Sequence, residues 1–219
     1  VTGAWLESYD PGDRKFIKIG FLLLENGQTL SDITIAYQTW GTLNAACDNA
    51  ILIQHAMTGW SDVPGWWPNM VGPGLAFDTN KYFVVCPNVI GGCQGSTGPS
   101  SIAPDGKRYG SRFPSVTIRD MVAAEIAFSD AIGIKKYKLA VGPSLGGMRS
   151  LEWAVDHPDR VDDPGDVAEE REQDVQPEMQ ANADLEENAE WRQEDGKQNA
   201  KNVHDGSDFH LRLQINALR

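Results

Sequence analysis

Ser144 lies between Gly142 and Gly146 in the run VGPSLGGM, residues 141–148. The spacing Gly-x-Ser-x-Gly is that of a nucleophile elbow, in which a tight strand-to-helix turn lifts a serine hydroxyl above a sheet. The glycines answer a steric need, because a side chain at either position would meet the neighbouring strand or helix. Attack of such a hydroxyl on an acyl carbonyl puts negative charge on the carbonyl oxygen, and two backbone N–H groups must face it. The residue after the serine, Leu145, supplies one. The other comes from the loop after the third strand. Here the apolar run AILIQ, residues 50–54, leads directly into His55-Ala56-Met57-Thr58-Gly59, which makes Met57 the second donor. His55 is read as a brace for that loop rather than as the base.

The elements that must position these groups are legible in the apolar pattern. KFIKIGFLLL and DITIAYQTW flank Asn26-Gly27, a hairpin signal that predicts an antiparallel entry to a sheet. Residues 50–54 and 82–86 are short, continuously apolar runs, as in strands buried on both faces of a parallel sheet. A helix is predicted over 117–134, opened by Thr117 with Asp120 three residues on and stopped by Gly133. Its apolar face holds Ile118, Met121, Val122, Phe128 and Ile132. Glu125 falls within that face and is expected to be a hydrogen-bonded structural carboxylate. Residues 137–141 read as the next strand and 148–156 as the helix after the elbow, ended by His157-Pro158, with His157 as its cap. Arg149 is expected to be solvated at the start of that helix. Strands alternating with helices after an antiparallel start imply an α/β domain with a mostly parallel sheet.

Charge divides the chain. Of 19 Lys and Arg and 31 Asp and Glu, residues 162–219 hold 6 and 16, so they carry a net charge of −10 out of −12. Leu, Ile, Val and Phe make up only 9 of those 58 residues, a composition too polar and too charged to build a core. Residues 162–219 therefore read as an acidic tail, disordered or foreign to the domain formed by residues 1–161. The acidity excludes a phosphate-backbone partner, so no nucleic acid is expected. No run approaches a membrane span, and Cys47, Cys86 and Cys93 have no metal or disulfide spacing. No metal-ligand cluster, Walker loop or dinucleotide fingerprint appears, and a soluble cytoplasmic protein is expected.

The blocks HAMTG, PGWW, VGPGLAFDTNKYFVVCPNVIGGCQGSTGPSS, YGSRFPSVTIRDMV and GPSLGGMRSLEW together resemble the homoserine O-acetyltransferase family, an acyl-CoA-dependent branch of the α/β-hydrolase fold. The likeness runs from about Thr2 to Val161, the N-terminal half of a family member. It implies that Ser144 takes acetyl from acetyl-CoA, a co-substrate, and passes it to homoserine in a ping-pong cycle, in a protein that is commonly a homodimer. Met57 and Leu145 match the oxyanion positions. Asn88, Gly91, Gly92 and Cys93 match a loop beside the pocket, with the glycines there for backbone reasons and Cys93 for packing. Pro143 departs from the family's usual glycine.

The order in this fold is Ser, then Asp or Glu, then His. No histidine here matches the family's base. His204 with Asp205, His210 with Asp208, and Asp195 follow Ser144 in the right order, within a segment too polar to hold an imidazole against the serine. The expectation is an α/β-hydrolase domain incomplete on its C-terminal side and impaired in catalysis. Alternatives left open are a serine esterase or other acyltransferase on the same scaffold, a succinyl rather than acetyl donor, and a non-catalytic interaction protein with an acidic tail.

Overall fold

The computed structural model describes residues 10–162. At Asn26-Gly27 the chain reverses, with Gly27 at φ 81° and its N–H bonded to the Leu24 carbonyl at 2.9 Å. The turn joins β1 (Lys15–Leu23) to β2 (Thr29–Trp40) as an antiparallel pair, Phe16 opposite Ala36 and Leu22 opposite Leu30. After β3 (Ala50–Ile53) come a short helix α1 (Val63–Trp66) and a pair of two-residue strands, β4 (Val71–Gly72) and β5 (Phe77–Asp78). These small elements leave no periodic trace in the sequence. β6 (Phe83–Pro87), α2 (Ile118–Ala131), β7 (Leu139–Val141) and α3 (Leu145–Asp156) complete the order.

The main sheet runs β1-β2-β6-β3-β7, with β6, β3 and β7 mutually parallel and β1 and β2 antiparallel at one side. Alternation along the central strands sends side chains to two cores. Leu52 and Val85 join Ile33, Ile35, Val122, Phe128 and Trp153 on the face covered by α2 and α3. Ile51, Ile53, Val84 and Cys86 join Val63, Val71 and Phe77 beneath α1 and the β4–β5 pair. Continuously apolar runs are what a strand covered on both faces requires. Each such fully buried aliphatic or aromatic side chain contributes about 1.5–3 kcal/mol relative to exposure.

Thr117 and Asp120 form the predicted capping box. The Thr117 N–H donates to Asp120 Oδ2 at 2.9 Å, and the Asp120 N–H donates to Thr117 Oγ1 at 3.2 Å. The other Asp120 oxygen accepts the Glu25 N–H at 2.9 Å, which fixes the hairpin turn to the start of α2.

Just before β7 the chain gains a second parallel neighbour. Val161 bridges Tyr137 in parallel, the Tyr137 N–H donating to the Arg160 carbonyl (2.9 Å) and the Asp162 N–H to the Tyr137 carbonyl (2.8 Å). The Asp162 carboxylate also meets Lys136 and Lys138 at 2.5 and 3.0 Å. The last described residues are thus paired beside Tyr137, two residues before β7 begins. The acidic tail falls almost wholly on residues 163–219, outside the described residues. Among the described residues no helix is long and apolar enough to cross a membrane.

Candidate active site

β3 and β7 are parallel neighbours, Ile53 level with Val141, so the segments leaving them emerge side by side at one end of the sheet. From β3 come Gln54, His55, Ala56 and Met57; from β7 come Gly142 to Leu145. The Gln54 N–H still donates to the Val141 carbonyl at 2.8 Å, extending the ladder into the site. Its carbonyl is then wedged against the elbow. A Cβ on Gly142 would lie 1.9 Å from it, and one on Gly146 1.8 Å. One main-chain oxygen therefore demands both glycines of the Gly-x-Ser-x-Gly pattern.

Between them Ser144 is exposed at φ 52°, ψ −120°, a conformation that an L-residue holds at a cost of about 1–3 kcal/mol. It is the N-cap of α3 without a side-chain capping bond. Leu145 opens the helix, where no intrahelical carbonyl is available to its N–H. The departure at Pro143 is accommodated, its carbonyl accepting the Gly146 N–H at 2.8 Å.

His55 is buried, and both ring nitrogens are used. Nδ1 donates to the Ala56 carbonyl at 2.6 Å, which fixes the tautomer, so Nε2 accepts the Val89 N–H at 3.1 Å. Burial, aided by the nearby Arg149 charge and opposed by the Ala56 bond, lowers the imidazole to about 4. A neutral ring with no open nitrogen braces its loop and takes no proton from Ser144. The other described histidine, His157, caps α3, its N–H on the Trp153 carbonyl at 3.0 Å. No described histidine is thus a base for Ser144; His204 and His210, with Asp195, Asp205 and Asp208, lie outside the described residues.

Two expectations are corrected. Arg149 is fully buried rather than solvated: Leu145, Arg149 and Trp153 are four residues apart, on the inward face of α3. The signal was in that spacing, overridden by the habit of placing arginines in water. Its Nη1 pairs with Glu125 Oε1, and its Nη2 donates to the His55 carbonyl at 2.6 Å. Glu125 Oε2 also accepts Gln54 Nε2 at 2.5 Å and Trp153 Nε1 at 2.8 Å, so it is the expected structural carboxylate. Cys93, expected to pack, is exposed, while Gly91 at φ 77° bears out the backbone demand read at that glycine. Asn88 is a brace, accepting the Ser61 N–H at 2.8 Å and donating to Ser61 Oγ and the Gln94 carbonyl.

The arrangement offers a strained exposed hydroxyl, two candidate oxyanion donors and loops interlocked by buried hydrogen bonds. Among the described residues no cluster of side chains suits a metal ion. Residues 49–163 match the family model described as alpha/beta hydrolase fold. The chain is 53% identical to the homoserine O-acetyltransferase of Thermobifida fusca over 172 residues, 74% of this chain and 45% of that protein. Among solved structures it resembles esterase E22 (33% identity, TM-score 0.64, covering 68% of this chain and 45% of that one). It also resembles homoserine O-acetyltransferase from Bacillus anthracis (34%, TM-score 0.61, 68% and 44%). The chain spans about half the length of the curated relatives it matches.

Proposed function

The chain belongs to the alpha/beta hydrolase fold family, and on that premise we propose that it carries the nucleophile-bearing half of a homoserine O-acetyltransferase. The observation that carries this reading is Ser144, held at positive φ on the elbow with Leu145 at the first turn of α3. In the first half-reaction Ser144 Oγ attacks the thioester carbonyl of acetyl-CoA. The carbonyl oxygen takes the charge against the Met57 and Leu145 N–H groups, and the C–S bond breaks. Coenzyme A leaves as the thiol with the serine's proton, and acetyl remains as an ester on Ser144. In the second, the homoserine hydroxyl attacks that ester, gives up its proton and departs as O-acetylhomoserine, restoring Ser144. Both proton transfers need a base, and residues 10–162 place none at Ser144. The chemistry needs no prosthetic group; a homodimer and a cytoplasmic location accompany the reading.

Esterases among the structural neighbours bring in water as a second acceptor, but at 33–36% identity they lie well below the 53% to the transferase. The test gives acetyl-CoA and L-homoserine to the 219-residue chain and to a chimera joining its residues 1–162 to the C-terminal half of the Thermobifida fusca relative. The chimera is expected to form O-acetylhomoserine and to lose this with Ser144→Ala. The intact chain's own rate reports whether residues 163–219 provide a base. Release of acetate at a rate indifferent to homoserine favours the esterase, and a folded chimera inert toward both acceptors overturns the proposal.

A further inference from the structure

The Arg149 guanidinium joins three pieces of the molecule: α3, α2 and the loop after β3. It rises from the second turn of α3, five residues after Ser144. One arm pairs with Glu125 on α2, and the other donates to the His55 carbonyl, two residues before Met57, at 2.6 Å. Glu125 in turn receives Gln54 Nε2, and Ser150 Oγ donates to Gln54 Oε1 at 2.6 Å. The helix that begins at the nucleophile thus grips the loop that carries the second oxyanion donor.

A role in packing alone accounts poorly for this side chain. Arg149 Nε is buried with no hydrogen-bond partner among the described residues, and an unmet buried donor costs stability. An apolar residue of similar volume would avoid that cost and, together with loss of the Glu125 charge, would often be neutral or stabilising. What an apolar residue lacks is the fork, whose two arms meet two acceptors in one fixed plane. One of those acceptors is main chain in the oxyanion loop. We infer that Arg149 is a positioning residue that sets the Met57 N–H against the Leu145 N–H across the elbow. This deepens the acyl-transfer reading of the site and rests on it.

The test is hydrogen exchange by mass spectrometry on the full 219-residue chain, comparing wild type with Arg149→Met, Arg149→Lys and Tyr137→Phe. The last removes a buried hydrogen bond to Ser129 at a distance from the loop and serves as a destabilised control. Arg149→Met is expected to raise exchange at least tenfold in residues 55–59 while α2 and β6 keep their protection, with Arg149→Lys in between and Tyr137→Phe leaving the loop unchanged. Equal loosening of α2, β6 and the loop, or a loop as protected as in wild type, overturns the inference. Should Arg149→Met fail to fold, Arg149→Lys decides in the same way. In parallel, in the chimera of residues 1–162 with the C-terminal half of the Thermobifida fusca relative, Ser144-dependent hydrolysis of p-nitrophenyl acetate is expected to fall about 10–100-fold in kcat at similar KM with Arg149→Met, somewhat less than outright loss of an oxyanion donor. If the chimera with an unaltered Arg149 shows no Ser144-dependent turnover, the acyl-transfer reading fails while the exchange pattern still decides whether Arg149 holds the loop.

Discussion

The carbonyl oxygen of Gln54 sits 1.8 Å from where a Cβ on Gly146 would be, and the same oxygen bars a Cβ on Gly142 at 1.9 Å. Both contacts are with main chain at the end of a central strand, so nothing can swing aside. Gly146→Ala and Gly142→Ala each require β3 and β7 to separate where they are hydrogen-bonded. Each is expected to destabilise the chain by about 2–3 kcal/mol or more, the upper range for overpacking. Urea unfolding midpoints measure this. A control at Gly106, where a Cβ would meet nothing but φ is 77°, separates conformational strain from collision.

The Glu125–Arg149 pair makes a different prediction, because removing one partner leaves the other charged and buried. Glu125→Leu alone is expected to cost about 3–5 kcal/mol. The double variant Glu125→Leu/Arg149→Met strands neither charge, and it is expected to recover most of that loss. A double-mutant cycle by chemical denaturation measures the coupling. Single-variant costs that simply add would show that the pair is not energetically linked.

Much of this was written in the chain. Asn26-Gly27, the Thr117–Asp120 box, the buried runs of β3 and β6 and the elbow itself each depend on neighbours within a few residues, and local patterns predict them. The clamp around Gln54 does not. Its partners, Glu125, Gly142, Gly146 and Ser150, lie 71 to 96 positions away, and the β3–β7 pairing brings them together. For Arg149 the four-residue spacing with Leu145 and Trp153 marked the inward face, but its acceptors, Glu125 and the His55 carbonyl, are distant in sequence and left no local trace. α1 and the β4–β5 pair are too short for any periodicity to register.

His55 supplies a pH dependence whose sign is fixed by its burial. Its folded value of about 4 lies below the ordinary 6.5, so between those limits the unfolded chain binds the proton and the folded one does not. Stability contributed by the neutral ring is complete above pH 6.5 and is lost as pH falls toward 4. A shift of that size corresponds to about 3 kcal/mol. His55→Gln retains a donor and an acceptor without a titrating ring. It is expected to flatten the change in unfolding free energy between pH 6.5 and 4.5 by most of that amount. A variant with the wild-type slope would assign the dependence to the carboxylates.

Ser144 concentrates the opposition between stability and chemistry. Its φ of 52° with ψ of −120° costs about 1–3 kcal/mol for a residue with a Cβ, and glycine would adopt it freely. Glycine also loosens the unfolded chain, which offsets about 0.4–1 kcal/mol of the gain. Ser144→Gly is therefore expected to stabilise the chain by about 1 kcal/mol, seen as a higher urea midpoint at unchanged slope. The same substitution in the active chimera is expected to lower acetyl transfer by about 10⁶-fold, as loss of the nucleophile does in other serine enzymes. Ser144→Ala separates the two effects, because it removes the hydroxyl and keeps the Cβ. It is expected to lose activity equally while gaining no stability. If Ser144→Ala is as stabilised as Ser144→Gly, the cost at this position comes from the hydroxyl itself and not from the backbone turn that presents it.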